Sequence, residues 1–216
     1  YYFYIEDRRK QAESDVADLI TIKEDESNPY NYKNKIYEVV KFETNNEEKF
    51  REACENVGKF NESACCVYAV MMNMHGTPTE ISNGPGKGYS LRMNIDDINS
   101  LERKSVQRLI LLQCSVGNVD YAGENIASVF AKKISGQVLA GDAEVHNVKE
   151  EEKVNIKGEP DSFTSLGRYE KYYCDGRGWY TYKYDWDKKD IEYEQIALGG
   201  DKHEFRIYQL IDLSTF

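Results

Sequence analysis

No apolar run in this 216-residue chain approaches the roughly 18 to 20 residues that a membrane-spanning helix needs. The opening "YYFYIEDRRK" also lacks the basic, apolar and small-residue succession of a secretory signal. The chain starts at Tyr1 without Met, which suits a piece of a longer polypeptide. Basic residues are in deficit: 28 Lys and Arg stand against 38 Asp and Glu, a formal net charge of -10. A polyanion-binding face needs clustered Lys and Arg, so neither nucleic acid nor a membrane is an expected partner. The five cysteines, at 54, 65, 66, 114 and 174, are odd in number and contain no CxxC pair. That fits neither a disulfide framework nor a zinc site, and reduced thiols in a soluble protein of a reducing compartment are expected. Cys65 and Cys66 lead into an apolar run and read as small buried hydrophobes. Histidine is scarce. His146 and His203 are isolated among charged residues without ligand spacing, so no metal and no cofactor is expected. "NGPGKGYS" has Gly and Tyr after Lys87 where a phosphate-binding loop has Ser or Thr, and Ser115 sits in no Gly-x-Ser-x-Gly elbow. No internal repeat is visible.

What is present is a core: 40% apolar and 12% aromatic residues are ample for one large, well-packed domain. "YYFYI" reads as a strand and residues 6–22 as a helix, with Ala12, Val16, Leu19 and Ile20 at helical spacing. After the polar loop "KEDESNPYNYKN", "IYEVVKF" reads as a second strand, and Phe50, Cys54 and Val57 mark one face of a second helix. "CVYAVMMNM" suits a strand buried on both faces. "ISNGPGKGYSLRMN" reads as a glycine-rich hairpin or flap, and "IDDINSLERKSV" as a helix capped near Asn94 or Asp96. "QRLILLQC" follows as a buried strand. Then comes a helix bearing Ile126, Val129, Phe130 and Ile134 and stopped by Gly136, and finally the strand "QVLAGDAEV". The order is that of an α/β protein, a mainly parallel sheet flanked by helices on both faces, over residues 1–145. From residue 146 the grammar changes. A charged connector, "KEEEKVNIKGEPDSF", leads to a Tyr-rich alternating segment broken by the turn signal Asp175-Gly176. Residues 146–216 therefore read as C-terminal antiparallel strands or a β-flap packed on the same domain, with Cys174 as a strand residue. Acidic residues interleave the tyrosines, which argues against a base-stacking surface.

In a parallel sheet, reactive groups collect at the carboxyl ends of strands. His75 ends the third predicted strand and Cys114 the fourth, with room between them for a flap and one crossover helix. Neighbouring strands would set imidazole beside thiol. A free thiol is only a few per cent thiolate at neutral pH, and an adjacent imidazole makes it a competent nucleophile. Gly76 permits close backbone approach, and the N–H groups of Gly76 and Cys114 could form an oxyanion hole.

"VMMNMHG" and "LILLQCSVGN" together resemble the caspase-like (clan CD) superfamily of cysteine peptidases, which includes caspases, gingipains, clostripain and the autoprocessing protease domains of large bacterial toxins. The bacterial members look closest. The resemblance implies a caspase-like α/β/α sandwich over about residues 1 to 141, with His75 as general base, Cys114 as nucleophile and no obligatory third member. It also implies a protein or peptide substrate and, from the toxin branch, a domain of a secreted or delivered bacterial protein. Caspases carry Gln-Ala before the cysteine, whereas this chain has Leu112-Gln113, so the caspase pocket for acidic residues is not carried over. Toxin domains of this kind are commonly activated by inositol hexakisphosphate in a basic pocket. Residues 151 to 216 hold more acidic than basic residues, so that cofactor is not carried over either.

Substrate-binding residues stay unassigned. Glu6, Asp7, Arg8 and Arg9 follow the first strand, and Asp120 and Glu124 follow the nucleophile, but charges there also suit solvated helix starts. Two functions remain: an endopeptidase working through a thioester acyl-enzyme, and a catalytically inactive binding or scaffold module that keeps the fold. The presence of both His75 and Cys114 favours the enzyme.

Overall fold

The computed structural model describes residues 1–24, 39–58, 67–84, 88, 90–155, 163–200 and 204–211. Residues 25–34 of the expected polar loop, residues 36–38 of "IYEVVKF", Cys65, Cys66, Lys87 and His203 lie outside these residues. The protein is α/β, with a mixed, mostly parallel seven-stranded sheet, two small antiparallel sheets and few helices.

The main sheet is built from β1 (Tyr2–Tyr4), β2 (Lys41–Glu43), β3 (Val67–Asn73), β7 (Val106–Leu111), β8 (Gln137–Gly141), β11 (Trp179–Asp185) and β12 (Asp190–Ala197). Its spatial order is β12-β11-β8-β7-β3-β1-β2. The five strands from β2 to β8 are parallel, and β11 and β12 add on antiparallel beside β8. Side chains of the central strands alternate between two apolar clusters. Phe3, Val70, Met72, Leu109, Leu111, Val138 and Ala140 share one cluster with residues of α2 (Glu47–Asn56), α3 (Ile95–Asn99) and α4 (Ile126–Ala131). Tyr2, Met71, Ile110 and Leu139 share the other with residues of α1 (Arg9–Glu24) and α5 (Ile207–Ile211). Burial on both faces explains why these strands read as continuous apolar runs.

Helix starts carry their own signals. Asn46 accepts the Lys49 N–H at 2.8 Å and Asn125 the Ser128 N–H at 2.8 Å, while Asn94 and Asp97 cap α3 reciprocally. Helix ends differ from expectation because the sheet recruits residues that helical spacing had claimed. α3 stops at Asn99, since the Ser105 carbonyl accepts the Val67 N–H at 2.8 Å and Lys104 bridges to Ile134. α4 stops at Ala131, and Ile134 serves that bridge instead of the helix face. Gly136 is not a helix stop. A Cβ there would lie 1.8 Å from the Gln107 carbonyl oxygen, so glycine is required for two strands to meet. Ile20 is 46% exposed, outside the stripe formed by Ala12 and Val16.

The flap after β3 is a three-stranded antiparallel sheet of β4 (His75–Thr77), β5 (Glu80–Ser82) and β6 (Arg92–Asn94). The described residues of the expected charged connector are instead strand. β9 (Val145–Asn155) pairs antiparallel with β10 (Phe163–Cys174), and β13 (Phe205–Arg206) completes a separate sheet. Asp175-Gly176 is not the turn of a simple hairpin; it passes the chain from that small sheet into β11 of the main one. Among the described residues the C-terminal region also contains a helix, α5, where the sequence predicts only strands. Among the described residues no helix is long and apolar enough to cross a membrane.

Candidate active site

β3 and β7 are parallel neighbours in a register that pairs Met72 with Leu111. The Leu112 N–H donates to the Met72 carbonyl at 2.9 Å, and beyond this bond the two chains part. His75 and Cys114 each stand three residues past the Met72–Leu111 pair, so they leave the sheet at one level and at its carboxyl edge.

Alternation aims His75. Asn73 is buried and donates to the Tyr2 hydroxyl at 3.1 Å, Met74 is buried in the opposite cluster, and the next residue emerges half-buried. His75 does not terminate a strand, as its apolar prelude suggested; it opens β4 opposite Ser82. Gly76 follows against the Cys114 segment. A Cβ at Gly76 would fall 2.7 Å from the Gln113 Cβ, 2.6 Å from a Val116 methyl and 3.2 Å from the Cys114 carbonyl oxygen. The glycine named from sequence is thus required here by close approach.

Gly84, in the loop that follows β5, supports the imidazole. It has φ +81, and a Cβ there would lie 2.7 Å from His75 Cδ2 and 3.0 Å from Nε2. Burial pushes the His75 pKa below its ordinary value, and the Arg8 charge pushes it the same way, while Asp7 opposes them. The imidazole is therefore held neutral near neutral pH, the form that can accept a proton. Asp7 and Arg8 belong to a 3-10 turn, Glu6–Arg8, directly after β1. β1 lies beside β3 with Tyr4 opposite Asn73, which brings this turn to the histidine's side of the sheet edge.

Cys114 is a free, half-buried thiol outside the strand. Ser115 follows at φ 58, a left-handed backbone uncommon for a residue with a side chain. Surrounding bonds hold that conformation. The Ser115 N–H donates to the Ala143 carbonyl at 2.7 Å and the Gly117 N–H to the Gly141 carbonyl at 3.0 Å. The Tyr182 hydroxyl donates to the Gly117 carbonyl at 2.5 Å, and the Asn125 amide to the Asn118 carbonyl at 2.9 Å. Buried Asp142 accepts the N–H of Val119 at 3.0 Å and of Arg177 at 3.0 Å. Among the described residues no acceptor engages the Cys114 N–H, leaving it available to a ligand. The Gln113 amide is fully buried beside Cys114, and neither of its polar atoms has a partner among the described residues.

Burial pushes Cys54 up to about 12 and Cys174 up to about 11, which suppresses their thiolates. Asp120 lies 2.9 Å from the Arg177 guanidinium, an ion pair at the rim of the loop after Cys114. One cluster escaped sequence reading because its members are far apart in the chain. Glu144, His146 and Asp175 place one carboxylate or imidazole atom each within 4.8 Å of one another. No spacing rule links residue 146 to residue 175, and only the β9–β10 pairing brings them together. The chain matches no protein-family model and no curated protein sequence.

Proposed function

We infer that this chain is a cysteine endopeptidase acting through Cys114 and His75, on a caspase-like α/β/α sandwich. The observation that carries the reading is the shared level of the two residues at the carboxyl edge of adjacent parallel strands, with Gly76 packed on the Cys114 segment. The sheet order of five parallel strands followed by antiparallel β11 supports the sandwich, as do helices contributing to both apolar clusters. Residues 1–145 supply the catalytic machinery, and 146–216 extend the sheet and brace the nucleophile loop.

A peptide bond is cleaved in two halves. Neutral His75 takes the thiol proton, and the Cys114 sulfur attacks the scissile carbonyl carbon. The Cys114 N–H, with that of Gly76, stabilises the oxyanion as it forms. His75 returns the proton to the leaving amine, the C–N bond breaks, and a thioester remains. Water, deprotonated by the same imidazole, attacks the thioester and regenerates the thiol. The braced loop contributes pre-organisation, since bonds already made in the resting enzyme need not form during reaction.

Labelling with a peptidyl ketone that alkylates active-site thiols tests this directly. Cys114 is expected to take the label at neutral pH, Cys114→Ala to abolish it, and His75→Ala to slow it by about two orders of magnitude or more. Labelling confined to the other cysteines, with Cys114 inert, would overturn the peptidase and leave a binding module.

A further inference from the structure

The geometry points to a second site, independent of the peptidase reading: Glu144, His146 and Asp175 bind one divalent transition-type cation, with Zn²⁺ the fitting ion. The donors are two carboxylates and one imidazole, all within 4.8 Å of one another. A mixed nitrogen and oxygen set of three is the composition that zinc accepts, leaving a fourth tetrahedral position for water. Calcium and magnesium favour oxygen ligands alone, so the imidazole selects against them.

Two of the three donors are held in place by their neighbours. The His146 ring stacks on Tyr173 at 4.7 Å between centroids and 17° between planes, and its Nε2 is 2.8 Å from Asp175 Oδ2. The Asp175 N–H donates to the Glu144 carbonyl at 2.9 Å, fixing the separation of the two strand ends that carry the carboxylates. Metal bonds of about 2.0 to 2.2 Å place tetrahedral ligand atoms roughly 3.4 Å apart. The His146–Asp175 contact would open slightly and the Glu144 carboxylate close inward. Both movements are within reach of exposed carboxylates. Charge favours a cation here, because the nearby Arg177 guanidinium is engaged by Asp120 and Asp142. The position also matters. Ala143, beside Glu144, accepts the Ser115 N–H, so an ion at this site would stiffen the segment that braces the nucleophile loop.

A thiolate and imidazole can also bind zinc, so the test uses the whole chain carrying Cys114→Ala. After chelator treatment, Co²⁺ absorption and Zn²⁺ titration calorimetry are expected to give one ion per chain with tetrahedral d–d bands. Adding His146→Ala or Asp175→Asn should weaken binding by about tenfold or more. Glu144→Gln, close to isosteric and on an exposed side chain, reads the same site if His146→Ala fails to fold. Unchanged stoichiometry and affinity in the Glu144 and Asp175 variants would overturn the proposal. So would the absence of Co²⁺ and Zn²⁺ binding below about millimolar, the weak limit of useful affinity. Ca²⁺ competing equally with Zn²⁺ would overturn the assignment of the ion. Labelling of Cys114 in the unsubstituted chain is a separate measurement, so failure of one reading leaves the other standing.

Discussion

Gly84 has no side chain because the imidazole of His75 occupies the space one would need. Gly84→Ala carries two penalties: a left-handed backbone at φ +81, costing about 1 to 2 kcal/mol, and a clash with the ring. The expected result is a folded but less stable protein in which ketone labelling of Cys114 slows by about a hundredfold, the usual scale for a displacement near 1 Å. Thermal melts and labelling rates measured side by side separate the two effects. Arg8 acts on the same ring through charge. Arg8→Gln removes a contribution that lowers the His75 pKa, so the acid limb of the kcat/KM profile should move to higher pH. Asp7→Asn removes the opposing charge and should move it to lower pH. A profile unmoved by both substitutions would show that His75 does not govern that limb. At this scale the sequence was informative about His75, Gly76 and Cys114, whose placement follows from strand ends. Gly84, Ser115 and Asp142 were illegible, because their roles come from contacts with residues far along the chain.

Between elements, a polar network ties α1 to β1 and β10 within an otherwise apolar layer. Buried Asp15 of α1 accepts hydrogen bonds from the hydroxyls of Tyr2 and Tyr172, the latter at 2.6 Å. Gln11 donates to the Tyr172 hydroxyl at 2.7 Å and Asn73 to that of Tyr2 at 3.1 Å. Burial first, and then the Asp15 carboxylate, push the Tyr2 pKa well above its ordinary value; burial, then Tyr2 and Asp15, do the same to Tyr172. Burial also raises Tyr182, which braces the loop after Cys114. These raised values give stability a defined pH window. The neutral hydroxyls persist in the folded state while unfolded tyrosines ionise near about pH 10. Stability from these groups is therefore intact below that pH and is lost as pH climbs toward the folded values. The expected loss is about 1.4 kcal/mol for each tyrosine between about pH 9 and 11, the slope steepening toward about 1.4 kcal/mol per pH unit as the unfolded chain ionises, read from urea midpoints. Tyr172→Phe should make the slope shallower by one tyrosine's share. Period and composition made β1, α1, β3, α2, β7 and β8 legible. Helix lengths at α3 and α4 were not, since the bridge between Lys104 and Ile134 competes with helical spacing and wins through sheet pairing. The long β9–β10 hairpin was hidden by its charge, which lowers β propensity without preventing pairing.

Across the whole molecule, the Tyr-rich C-terminal region is divided between two sheets. β11 and β12 widen the main one, while β10 joins β9 and β13 in the small one. The chain crosses between them at residues 175 to 178, beside Asp142 and the loop after Cys114. The new edge strand β12 carries Asp190, Glu192 and Glu194, and charged side chains on an edge discourage further strand addition. Topology of this breadth was only partly legible, because alternation identifies strands without naming their partners.

The bonds from Ser115 to Ala143 and from Gly117 to Gly141 give the turn after Cys114 a measurable kinetic signature. Backbone amides of a half-exposed turn ordinarily exchange with solvent deuterium in the manner of a loop. These two should instead exchange at the pace of the main sheet, because releasing them requires the end of β8 and the residues just after it to separate from the turn. Rapid exchange at both would mean that the turn opens on its own and that the chain around Cys114 is assembled only when substrate arrives.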